Sequence, residues 1–501
     1  MDRVAIHPPL NPSTSVAVSL ALAACAVTMI GVWSGFELIF AAMLVVVMFL
    51  AVRKAGPVGQ VAFLMVAIQL NIFSIEFGDR LYTFENFYTL RPATAATAIM
   101  LVLLLWRLLN GTEKLGYVPL IRPLLLLDAA FFLATLLHPN SPFFFRGLIS
   151  CILLAVNIGI FVLFLRQLLP NPDLIDRAVR WLIAMYAIYA AAGILMVLVN
   201  LSGLDPHDHL VQIDTLGNYT MATAGSNTPI PRPWSFEPNT GSQMVAVCLL
   251  ALTKSLQRDE RHRGRLWLCA ALIFIGVMLT FARGAWVGLG VGLIGMLIIT
   301  RVAAPMKSDQ RARVFRSLSV ISVTVVGSYL VLVNLLPYLK DVLFERILTL
   351  SVWEQGTMYE RFVFWMRFIE DGIRNPILGH GADAYKTLIP PPHVSENFVI
   401  ESFHAAGIAG PLIFGWFHWK LLKRAILMIR ADQQFHLRWM VPFLAAYSGY
   451  FVAVQTNPNI WGAFFWMFLA FMVSLVYQES SRNPSRLQHL VPGLAQSVPP
   501  A

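Results

Sequence analysis

Charge is what this chain is short of. Of 501 residues, 13% are Asp, Glu, Lys or Arg and 57% are hydrophobic. Soluble domains carry about a quarter charged residues. The shortfall excludes an ordinary soluble enzyme of this length and puts the chain in the membrane class, as does a mean hydropathy of +0.67. Cysteine is scarce too. Cys25, Cys151, Cys248 and Cys269 all fall within apolar runs and form no CxxC pair, so neither a loop disulfide nor a thiolate metal site is expected. Acidic residues number 27 against 37 basic ones, a net charge of +10. No clustered basic face accompanies that excess, and nucleic acid is not an expected partner. There is no internal repeat and no composition shift that would mark a separate soluble domain.

Apolar runs are what the chain has instead. Stretches of about 17–20 residues recur along it, the length that a bilayer core demands of a helix. They predict an all-α, polytopic membrane protein with about fourteen spans, near 16–33, 36–52, 57–75, 93–109, 120–137, 147–169, 178–201, 240–257, 266–282, 284–302, 317–337, 397–418, 439–454 and 459–477. Residues 1–15 form a short N-terminus. The first run resembles a signal peptide around Ala21–Ala26, but it is read as a retained helix because the orientation works only with it. Lys and Arg then collect on alternate connections, 26 of the 37 on one side and 11 on the other. Cationic loops stay cytoplasmic, so both termini are expected in the cytoplasm. Two long extracytoplasmic loops remain, about 202–239 and 338–396, and loops of that length usually carry function. In the second, Phe362, Trp365, Met366 and Ile369 recur at helical spacing. They form a stripe suited either to the membrane surface or to packing on the protein's own domain. The tail 478–501, rich in Ser and Pro, is expected to be disordered.

Ionisable residues near membrane depth are functional hypotheses. Arg283, in LTFARGAWVG, stands at the extracytoplasmic end of two apolar helices. A guanidinium there suits phosphate oxygens, or simply snorkels to the interface. In ENFVIESFHAAGIAGPLIFG, Asn397, Glu401 and His404 share one helix face, as a site or as a polar seam in which Glu401 and His404 pair. The NPILGHGADAY run, with Gly379 and Gly381 around His380, reads as a tight turn where backbone passes close to another chain segment or a ligand. In IPRPWSFEPNTGS, Arg232 and Glu237 precede a helix that Asn239 or Thr240 is expected to cap. Asp205, His207, Asp208 and His209 are metal-ligand residue types, but no partner from another helix is identifiable, so no metal is expected.

Taken together, the segments in about 230–475 resemble the O-antigen ligase and Wzy-type polysaccharide polymerase superfamily. The features are Arg283-Gly284 after an apolar helix, then Arg361 ahead of the Pro376–Gly381 turn. After these comes the polar pair Glu396-Asn397, then the nine residues 398–406, then Gly407 and Gly410. The resemblance implies a GT-C-like membrane fold and transfer of a glycan from an undecaprenyl-diphosphate carrier without metal or cofactor. It implies Arg283 and Arg361 on the diphosphate, with Arg232 or Arg367 as a third cation. It also implies a base near the acceptor hydroxyl, where Glu396 is the first candidate and His393 and His404 are rivals. Asn397, Glu401, Gly379 and Gly381 would support the site. Ligases of the superfamily usually carry His at the position of Glu396, and the departure turns the expectation toward a polymerase of exopolysaccharide or O-antigen repeat units. A ligase to lipid A-core or protein and a lipid-linked-glycan flippase are the alternatives. Expected partners are the lipid-linked glycan, membrane lipid, a chain-length regulator and a flippase.

Overall fold

The computed structural model describes residues 53, 56–69, 75–76, 89–90, 92–113, 116, 118–201, 238–255, 262–280, 282–303, 357–388, 397–431, 440–455 and 462–482. Its elements run α1 (Pro57–Gln69), β1 (Ile75–Glu76), β2 (Thr89–Leu90), α2 (Pro92–Leu109), α3 (Ile121–Leu136), α4 (Phe144–Leu168) and α5 (Pro172–Leu201). They continue with α6 (Pro238–Ser255), α7 (Arg263–Leu279), α8 (Arg283–Ala303), α9 (Thr357–Arg374), a short 3-10 turn (Ala384–Thr387), α10 (Phe398–Ala406), α11 (Ala409–Ala431), α12 (Val441–Val454) and α13 (Ala463–Arg482). Among the described residues the fold is helical apart from one antiparallel pairing, Ile75 with Leu90 and Glu76 with Thr89.

The helices begin and end where the sequence chemistry says they should. α4 holds Arg146 and Arg166 near its two ends and only uncharged residues between. Pro172 opens α5, where a missing N–H costs nothing, and Asp173 in the first turn complements the helix dipole. Pro238 opens α6, so Thr240 lies within the helix and does not cap it. The predicted span 397–418 is broken at Gly407, whose φ is +60°, into the short α10 and the longer α11. The runs 16–33, 36–52 and 317–337, residues 202–237 and 338–356 of the long loops, and the tail from 483 lie outside the described residues.

α4 occupies the middle, packed on α13, α3, α2 and α1. α8 and α12 form the tightest pair. A Cβ on Gly288 would stand 2.4 Å from the Gly449 carbonyl oxygen, and one on Gly449 would stand 2.6 Å from that of Gly288. This is the small-residue approach by which helices pack in lipid. The exterior is apolar: Leu105, Trp106 and Leu109 on α2, Leu125, Leu126 and Leu133 on α3, and Leu412 and Trp419 on α11 are exposed. Soluble proteins avoid such belts. Phe144–Leu168 and Asp173–Leu195 are long and apolar enough to cross a membrane.

Polar contacts gather at the two ends of this bundle. At one end Arg166 donates to Glu113 (2.8 Å), Gln167 to Gln60 (2.7 Å), and Lys254 pairs with Asp176. At the other, Arg146 faces Asp383 (3.6 Å) and His138 meets Asn375 (3.1 Å). Helix direction then locates Arg283. Lys254, at the C-terminal end of α6, holds Asp176 near the start of α5, so the α6 N-terminus is at the far end. There a Cβ on Gly241 would meet Thr280 and Ala285, which flank the start of α8. Arg283, the first residue of α8, therefore shares an end with Arg146, Asn375 and Asp383.

Candidate functional site

The site is built around two backbone segments that lock together. Asn397 caps α10 by accepting the Ile400 N–H at 3.1 Å. α10 then runs nine residues to Ala406. The chain 375–383 folds against its C-terminal end. His380 N–H donates to the His404 carbonyl and Gly381 N–H to that of Ala405, each at 2.9 Å, and Ile408 N–H returns to Pro376 O at 2.8 Å. These bonds take up carbonyls that a helix end leaves open. Only glycine permits the fit. Gly379 (φ +68°) would place a Cβ 2.5 Å from Ala405 and Gly407 main chain, and Gly407 would place one 2.4 Å from Ile377 O. The two motifs legible in the sequence, Pro376–Gly381 and Gly407–Gly410, are thus two halves of one interlock.

On one side of the interlock lies a cluster of imidazoles. Asp371 near the end of α9 accepts from His404 Nε2 at 3.0 Å through Oδ2, and its main-chain carbonyl accepts from His380 Nε2 at 3.0 Å. His380 Nε2 is also 3.6 Å from Asp371 Oδ2. The His380 and His404 rings stack at 4.9 Å, and the His138 ring lies 5.9 Å from His380. His138 is held by Ala134 O at Nδ1 (2.8 Å) and by Asn375 at Nε2 (3.1 Å). A cavity of about 290 Å³ opens here, lined by His138, Asn140, Ser141, Asp371, His380 and Ala384 among others.

On the other side is a carboxylate cluster. Ser150 donates to Asp383 Oδ2 at 2.5 Å, and Arg146 lies 3.6 Å from the same oxygen. Asp383 takes a left-handed backbone, φ +58°, and Ala382 N–H donates to Thr135 at 2.9 Å, which pins the turn to α3. Burial, aided by the Glu401 and Asp383 carboxylates, pushes the Tyr385 hydroxyl well above its ordinary range, with Arg146 opposing. It stays protonated.

The expected site residues divide as follows. Arg361 is half-buried and Arg367 exposed, both on α9. Glu401 is buried, and His404, 1% exposed, pairs with Asp371 across the loop. Asn397, Gly379 and Gly381 support the fold of the turn and of α10. Glu396, His393 and Arg232 lie outside the described residues. The sequence reading missed His138, Arg146, Asp371 and Asp383. It also missed Asp128, half-buried within α3, whose Oδ1 has no hydrogen-bond partner among the described residues. Asp128 was open to detection as a carboxylate inside an apolar run.

The fold defines the class: a helical protein whose apolar helices and exterior are those of an integral membrane protein. The family follows from comparison. Residues 268–415, from α7 into α11, match the family model described as O-Antigen ligase, a family of glycosyl-transferring enzymes to which this segment is similar. It contains Arg283, α9, the interlocked turn and α10. No curated protein matches the chain.

Proposed function

We propose that this chain is a polymerase that joins undecaprenyl-diphosphate-linked oligosaccharide repeat units at the extracytoplasmic face of the bacterial inner membrane. The observation that carries the proposal is the O-antigen ligase match over 268–415, a segment that carries both Arg283 and Arg361. The acceptor hydroxyl attacks the anomeric carbon, and the lipid diphosphate departs with the bonding pair. Arg283 and Arg361 are assigned to that departing charge, as cations preorganised where charge develops, with Arg367 or Arg232 beside them. Glu396, in the position that ligases of the superfamily fill with His, is assigned as the base, a role worth about 10²–10⁴-fold. His393 is its rival. His404 is buried on Asp371, and its role in this reading is to hold α9 against α10. Transfer needs no metal at the reacting centre. The unit takes 16–477 as one membrane domain with both termini cytoplasmic. The outer face of α9, with Phe362, Met366 and Ile373 exposed, rests on the bilayer surface. A chain-length regulator and a flippase are the proposed partners.

Arg283→Ala and Glu396→Gln are expected to abolish polymer while the protein stays at normal membrane levels. Near-normal polymer in both would refute the assignment. The family description itself favours a second reading, a ligase. Loss of a polymerase leaves single repeat units; loss of a ligase leaves long lipid-linked chains that never reach their acceptor.

A further inference from the structure

Three separate segments bring one carboxylate and two imidazoles together: Asp371 from α9, His380 from the turn, His404 from α10. One donor atom of each lies within 4.8 Å of the other two. His404 Nε2 and His380 Nε2 stand 3.0 and 3.6 Å from Asp371 Oδ2. A zinc ion with bonds of about 2.1 Å to nitrogen and oxygen holds tetrahedral ligands about 3.4 Å apart. Two edges of the trio are already close to that length. We propose that Asp371, His380 and His404 bind a divalent transition-metal ion, zinc by the chemistry of the donor set, as a clasp between α9, the turn and α10.

One further observation favours an ion over a purely hydrogen-bonded network. Asp371 and His380 also line the 290 Å³ cavity beside them, which gives a three-ligand ion an open position for water or a hydroxyl-bearing molecule. His138, already engaged at both nitrogens, borders the site without serving as a ligand. Mixed imidazole and carboxylate donors suit zinc and its neighbours better than calcium or magnesium, which prefer all-oxygen shells. The inference is independent of the proposed polymerase reaction, in which the metal takes no part.

The test uses the full chain in detergent, carrying an affinity tag without histidine and stripped of metal by a chelator. Zn(II) is titrated against a chromogenic chelator, and Co(II) binding is followed by its visible ligand-field bands. About one equivalent is expected to bind. Asp371→Asn and His380→Asn keep polar side chains at their positions, and each is expected to weaken binding at least about tenfold, as loss of even an outer-shell partner does. His138→Gln is expected to bind as the wild type does. Thermal unfolding without metal identifies any variant that fails to fold, and His404→Gln then serves in its place. No stoichiometric uptake by the wild type overturns the proposal. So does uptake unchanged in folded Asp371→Asn and His380→Asn, which would mark an adventitious ion only. Polymer formation is read separately, so loss of the clasp and loss of the polymerase reading are distinguishable.

Discussion

Gly379 and Gly407 show how much a single hydrogen atom in place of a methyl decides. Each has main chain of the other segment within 2.5 Å of where a Cβ would be, and each holds a positive φ. Gly379→Ala is expected to cost several kcal/mol, of which about 1–2 kcal/mol is the left-handed backbone penalty and the rest steric. Gly264→Ala, where nothing lies within 4 Å, should shift stability by no more than about 1 kcal/mol. Thermal unfolding of both variants in detergent checks the contrast. At this scale the sequence was partly legible. A run of Pro, Gly and Gly announces a close backbone approach, though not that the approached chain is the protein's own helix end. His380 and His404 each stood out in the sequence but Asp371 did not, and nothing in the spacing of the three shares a helix face; only the interlock brings them together.

At the scale of elements, α9 is the instructive case. Its periodicity marked an apolar stripe through Phe362, Met366 and Ile369. The helix in fact has two apolar faces. Phe368 is fully buried and packs on Tyr385 and His404 (ring centroids 5.3 and 5.4 Å), while Phe362, Met366 and Ile373 point away and are exposed. A nitroxide at Met366→Cys is expected to collide readily with oxygen dissolved in the bilayer, and one at Gly111→Cys, at a loop tip, to favour a water-soluble relaxer. Equal accessibility at the two positions would remove α9 from the membrane surface. Most described helices begin and end within several residues of the predicted spans, because apolar length and flanking charge fix them, but α11 runs on to Ala431, past the predicted end at 418. The break at Gly407 was not legible: the apolar pattern continues through it, and only the backbone conformation interrupts the helix.

Across the whole molecule, the alternation of basic loops predicted which connections share a side, and the contacts agree with that grouping. Loop 138–143 and the turn 375–383 meet at one end; Glu113, Arg166, Asp176 and Lys254 meet at the other. The cause is legible in sequence because charge is confined to helix ends. Which end faces the cytoplasm is tested by labelling. With a membrane-impermeant maleimide on intact spheroplasts, Asn140→Cys is expected to react and Thr112→Cys to react only after permeabilisation. The inverse pattern would overturn the proposed orientation. The Asp176–Lys254 pair, with Lys254 side chain 4% exposed, joins α5 to α6. Lys254→Ala leaves Asp176 paired with Arg180 at 2.9 Å, so it is expected to cost about 1 kcal/mol in a chemical denaturation series, less than the loss of one partner from a wholly buried pair.

The interlock at Gly379 and Gly407 has a mechanical corollary. Main-chain bonds cross directly from the turn to the end of α10, so there is little slack between the outer helix and the first turn of α10, where Asn397 follows Glu396. A displacement of α9 is therefore carried along that strut into α10 rather than absorbed between the two, so the outer rim and the polar end of the bundle move together.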